Sequence, residues 1–176
     1  METSATRAIR DRLDKRDSDD LGTHIPYSNI APSRPVRMGV AFGERVHWDS
    51  PRKAIRVKGV DLRDAERRAA EARRNAPCVD IVVDIEVLIA RTMSAARGAL
   101  GPGGHSGDTL FYFGTPAGLV GLVADIRTLG IADGGMLIPL VADTADLIYD
   151  VVLPELCASN SLRREEAPVP SNASAK

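Results

Sequence analysis

The chain has 176 residues, of which 44% are hydrophobic and 27% charged, with a formal net charge of −1. This is length enough for one domain with a sizeable core, and ordinary composition for a globular protein. A near-neutral balance gives no electrostatic reason to expect nucleic acid or an anionic membrane as partner.

The first residues (METSATRAIRDRL) are charged and lack an apolar core, so no signal peptide is expected. No apolar run approaches the ~20 residues that span a bilayer, and a cytoplasmic location is expected. Cys78 and Cys157 lie far apart without CxxC spacing, which predicts two reduced thiols. Over 4–16, Ala5, Ile9 and Leu13 recur every four residues and predict a short helix with a thin apolar stripe. Residues 17–35 read as loop. VRMGVAF (36–42) predicts a strand, broken over 43–51, and 54–57 a weaker one closed by Gly59. Asp61 is placed as an N-cap before LRDAERRAAEARRNA, a helix with Leu62, Ala65, Ala69, Ala72 and Ala76 on one narrow face. Its arginines and glutamates predict a solvated face with local ion pairs, and Pro77 ends it.

CVDIVVDIEVLIA is the clearest strand. Val79, Ile81, Val83, Ile85, Val87 and Ile89 fall on one face, and Asp80, Val82, Asp84, Glu86 and Leu88 on the other. A β-branched face for helices and a mixed face for an interior suit a barrel. A short helix is predicted over 91–100, a flexible glycine-rich loop over 101–108, and an extended piece over 109–113. Thr115 then caps a helix with Pro116 at its first position and Leu119, Val120, Val123 and Ile126 buried. Gly130 takes the left-handed position after it. GMLIPL (135–140) predicts a buried strand. Asp143 is placed as cap of the last helix, with Leu147, Ile148, Val151 and Val152 inward and Pro154 at its end. Residues 157–176 read as a disordered tail.

Three groups of residues invite chemistry. Asp84 and Glu86, two apart on a strand, project to one side ~6–7 Å from each other, and paired carboxylates can serve acid–base work or bind a metal; pairing with buried arginines, or a place at a strand end in water, is the structural alternative. His105, in the glycine loop, is a candidate catalytic proton donor if that loop closes over a pocket. His24, His47 and His105 lack metal-ligand spacing, so no metal site is expected. The glycines at 101, 103, 104 and 107 match neither phosphate-loop pattern. A hydrolase or metal enzyme built on the acidic strand is a weaker third reading.

The ordered pieces from Asp61 to Leu156 resemble the closing units of the bacterial-luciferase-like flavin-dependent monooxygenases, in the nitrilotriacetate and long-chain-alkane monooxygenase-like branch. The marks are Gly114, Thr115 and Pro116 opening a helix, then Asp133 and Gly134 before a strand. Asp150, Val151, Val152, Pro154, Glu155 and Leu156 follow at the close. The resemblance implies an α/β fold that is part of a TIM-type (β/α)8 barrel, with 61–156 supplying about three of eight βα units, and 1–60 outside the pattern. It implies FMN, or alternatively F420, a flavin reductase as partner, and a small organic substrate. Asp84, Glu86, Ile138 and Pro139 would face the pocket mouth. A chain of this extent is expected to be a truncated or degenerate member. The alternative is a non-catalytic α/β protein whose open sheet edges make it a homo-oligomer or a companion subunit.

Overall fold

The β-branched runs become one sheet. The computed structural model describes residues 35–100, 105 and 107–165, with side chains to 159. Its strands are β1 (Arg37–Phe42), β2 (Arg45–Trp48), β3 (Ala54–Val57), β4 (Asp80–Ile89), β5 (Leu110–Gly114) and β6 (Gly134–Pro139). They lie in the order β2-β1-β6-β4-β3, and β5 also pairs with β4. β4 and β6 are parallel, in register from Val82 opposite Gly134 to Val87 opposite Pro139. β1 runs parallel beside β6, and β3 and β5 run parallel to β4. The fold is therefore α/β, a curled half-barrel of largely parallel strands covered by helices, as a partial TIM-type barrel requires. The predicted helix 4–16, the loop up to residue 34 and most of the glycine loop lie outside the described residues.

Every residue of β4 is buried, which its near-continuous apolar run explains. Ile81, Val83, Ile85, Val87 and Ile89 share one core with Ala65, Ala69, Leu119, Val123, Ile126, Ile148, Val152 and Leu156. By alternation, Asp80, Val82, Asp84, Glu86 and Leu88 occupy the interior face.

Helix α1 (Leu62–Asn75) starts where Asp61 accepts the Asp64 N–H at 2.8 Å. Helix α2 (Met93–Ala99) is capped by Thr92. Helix α3 (Pro116–Thr128) is capped by Thr115, which accepts from Gly118. It ends in paired bonds, Gly130 N–H to the Arg127 carbonyl and Ile131 N–H to the Ile126 carbonyl, with Gly130 at φ 73°. This closure satisfies two terminal carbonyls and needs the left-handed conformation that glycine adopts without strain.

The C-terminal helices depart from the expected pattern. Helix α4 (Ala142–Leu147) has Val141, not Asp143, at its cap position, with no side-chain cap bond; Asp143 sits in its first turn. Nor does Pro154 stop the chain. A π-turn over Ile148–Val152 leads into α5 (Leu153–Glu165), so residues 157–165 are helical rather than part of a disordered tail, and 166–176 lie outside the described residues. In an α-helix a proline clashes with the carbonyl four residues back and leaves that carbonyl without a donor. The wider turn bonds the Leu153 N–H to the Ile148 carbonyl just before Pro154 and lets the helix carry on. Ile148 and Val152 are fully buried, while Val151 is only half-buried.

Residues 43–51 also differ from expectation. Gly43, at φ 60°, and Glu44 form a two-residue turn, and β2 returns antiparallel to β1 with Phe42 opposite Arg45. A glycine of positive φ at the first turn position matches the twist of such hairpins. No helix among the described residues is long and apolar enough to cross a membrane.

Candidate functional site

Register stacks the interior side chains in storeys. The lowest is closed by Arg37, whose side chain is 1% exposed. Its guanidinium donates to the Asp49 carboxylate, to the Ser50 carbonyl at 2.6 Å and to the Arg52 carbonyl at 2.8 Å. It lies 4.7 Å over the Trp48 ring, a cation–π contact. Its Nε is 3.9 Å from Asp80, which Arg52 approaches at 3.3 Å. Burial lowers the Arg37 pKa from its usual range, against the opposing pull of Asp80. Trp48 can fold inward because Gly39 leaves room; a Cβ there would strike Met136 and Trp48. Outside this plug, an open depression of about 530 Å³ is lined only by residues 48–54.

One storey up, Arg56 grips Asp84 as a fork, Nε to Oδ1 and Nη2 to Oδ2, each at 2.8 Å. The Asp84 side chain is 3% exposed. The bond to Asp84 raises the Arg56 pKa. Asp84 is thus a neutralised wall of the interior.

The next storey, toward the carboxyl ends of the strands, holds Glu86 between Phe111 of β5 and Ile138 of β6. Glu86 is buried; Ile138 and Phe111 are half-buried. The exposed His105 stacks on Phe111, with centroids 4.6 Å apart and planes at 13°. Its Nδ1 accepts from the Gly107 N–H at 3.0 Å, so a neutral ring carries its proton on Nε2. Glu86, Ile138, Phe111 and His105 therefore gather at one end of the interior, with Asp84 beneath them. Pro139 does not join them: opposite Val87 and two residues past Leu137, it continues the row that faces the helices. A one-residue step on a strand reverses the side chain, so Ile138 and Pro139 cannot share a pocket mouth.

Sequence reasoning missed Phe111, Arg56, Arg37 and Trp48. The alternation in LFYFG marks Phe111 as opposite in face to Leu110, but only the β4·β5 register sets it beside Glu86. Nothing local distinguishes Arg56 and Arg37 from the other arginines. Among the described residues no group of three His, Cys, Asp or Glu could hold a metal ion.

No family model matches the chain, and no curated protein matches it. Among solved structures it is similar to a long-chain alkane monooxygenase (LadA), at 15% identity and a TM-score of 0.50. The match covers 60% of this chain and 36% of that one. At such identity the likeness is one of fold.

Proposed function

We propose that the chain carries part of a luciferase-like, flavin-dependent oxidoreductase barrel, with a small organic substrate bound over Glu86 and Ile138. The supporting observation is the parallel β4·β6 pair, with the Thr115-capped α3 leading from β5 into β6, which sets Glu86 beside Ile138 at the carboxyl ends of the strands. In barrels of this class that end carries the chemistry. The fold likeness to a long-chain alkane monooxygenase points the same way.

FMN is the proposed cofactor, with F420 as the alternative. The residues fit its flat ring: half-buried Ala41, Ile138 and Phe111 offer apolar surface, and the His105–Phe111 stack offers a planar flank. Arg37 and Arg56 do not fit the phosphate end, because both are spent on carboxylates. A bound flavin supplies the oxygen or hydride chemistry. Ile138 and Phe111 would exclude water from its face, His105 would donate a hydrogen bond from Nε2, and Glu86 would supply the polar floor. Reduced cofactor would come from a flavin reductase.

Titration of the purified protein with FMN and F420, followed by fluorescence, tests this. One of them is expected to bind with a Kd below ~100 μM, and Ile138→Trp, which fills the interior, to weaken it at least ~10-fold. Absence of binding by both, or unchanged binding in Ile138→Trp, refutes the proposal. The second reading, a non-catalytic assembly subunit, is favoured by the arginines that neutralise Asp80 and Asp84. It predicts a folded protein without flavin affinity.

A further inference from the structure

We propose that a second copy of this chain docks on the open edge of β2, joining two half-barrel sheets across a two-fold axis at His47. Among the described residues β2 pairs only with β1. The two-residue turn makes Phe42 and Arg45 a hydrogen-bonded pair, and the ladder runs on to the Asp49 N–H, which reaches the Met38 carbonyl at 3.1 Å. By alternation the N–H and C=O of Val46 and Trp48 then point away from β1. Arg45–Trp48 is short and begins with a charge, which blunts an edge in part, but it carries no proline and no bulge. Apolar surface flanks it instead: Val46 is 49% exposed, and Phe42 and Tyr149 44% each.

The sequence of the edge favours a copy of itself. Antiparallel pairing centred on His47 sets Val46 opposite Trp48 of the second copy, and the reverse, using both outward-facing residues of each strand. Registers two residues away run into the turn at Glu44 or the loop at Ser50 and lose half of that ladder. The same register sets Arg45 opposite Asp49 of the second copy. These are opposite charges, and the Asp49 side chain is still 35% exposed while it accepts from Arg37 and, at 3.0 Å, from the Met38 N–H. Directly opposed residues interact most strongly across a ladder, and opposite charges there are favourable. The two His47 residues meet on the axis as a non-hydrogen-bonded pair, with Cα atoms ~4.5 Å apart.

Sedimentation of the full chain tests the assembly, with an expected mass twice the 18.8 kDa of one chain. Val46→Pro removes an N–H that points outward and leaves the β1·β2 bonds in place. It is expected to weaken the dimer ~30-fold or more with far-UV CD unchanged. For the register, His47→Cys with Cys78 and Cys157 changed to Ser is expected to form a disulfide-linked dimer on mild oxidation, and Arg45→Cys in that background is not. A monomer at every concentration overturns the proposal. So does cross-linking at Arg45→Cys as fast as at His47→Cys. If Val46→Pro fails to fold, the two cysteine variants decide alone.

Discussion

Replacing Arg37 with Met would strip the floor of the half-barrel. The change removes the bond to Asp49, those to the Ser50 and Arg52 carbonyls, and the stacking on Trp48. Asp80, 4% exposed, loses the fully buried cation 3.9 Å from it, while Arg52 stays at 3.3 Å. Losing charge-assisted hydrogen bonds of this kind costs about 1.5–3 kcal/mol, and the partly exposed Asp49 carboxylate can be rehydrated. A loss of that size is expected in urea unfolding at pH 7, followed by the fluorescence of Trp48, the single tryptophan. Arg37→Lys keeps the charge but not the planar fork, so it cannot serve Asp49 and both carbonyls together and is expected to recover less than half of the loss. A penalty below ~1 kcal/mol for Arg37→Met would refute the assignment of this cluster as the closure of the interior.

Arg56→Met strands the Asp84 carboxylate at 3% exposure. A cost of about 3 kcal/mol is expected by urea titration, with partial recovery in the Arg56→Met, Asp84→Asn double variant; additive losses would contradict it. Tyr112 tests a pH dependence. Burial raises its pKa, so the folded state keeps the phenol protonated where the unfolded chain ionises it, near pH ~10. Its contribution is full below that pH and is lost as pH rises through the folded value. Tyr112→Phe is therefore expected to flatten the fall in Tm between pH 9 and 11, roughly the range of phenol ionisation; equal slopes would rule this out.

Much of the fold was legible because period and caps act locally. The alternation in CVDIVVDIEVLIA set the two faces of β4, and Asp61 and Thr115 marked helix starts by the donors they could satisfy. β2 was hidden because four residues, RVHW, carry no periodic apolar signal, and the hairpin turns on a backbone angle at Gly43. Pro154 misled because its usual penalty is relieved by the preceding π-turn, which no residue type announces. At the site, alternation placed Asp84 and Glu86 on one face. The partners of that face come from strands 25 or more residues away in sequence. Asp84 takes Arg56, |i−j| = 28, and Glu86 lies beside Phe111 and Ile138. Such pairings depend on register, which local sequence does not encode.

β4 changes its neighbour partway along one edge. β3 lies beside Asp80–Val83, and β5 beside Ile85–Ile89. Two short ribbons thus share one long rail, meeting end to end with no ladder between them. Separation of the upper ribbon would bare Glu86 and carry Phe111 off with it, while the Arg56–Asp84 clasp stayed shut. An opening there would loosen the roof of the interior and leave its foundation in place.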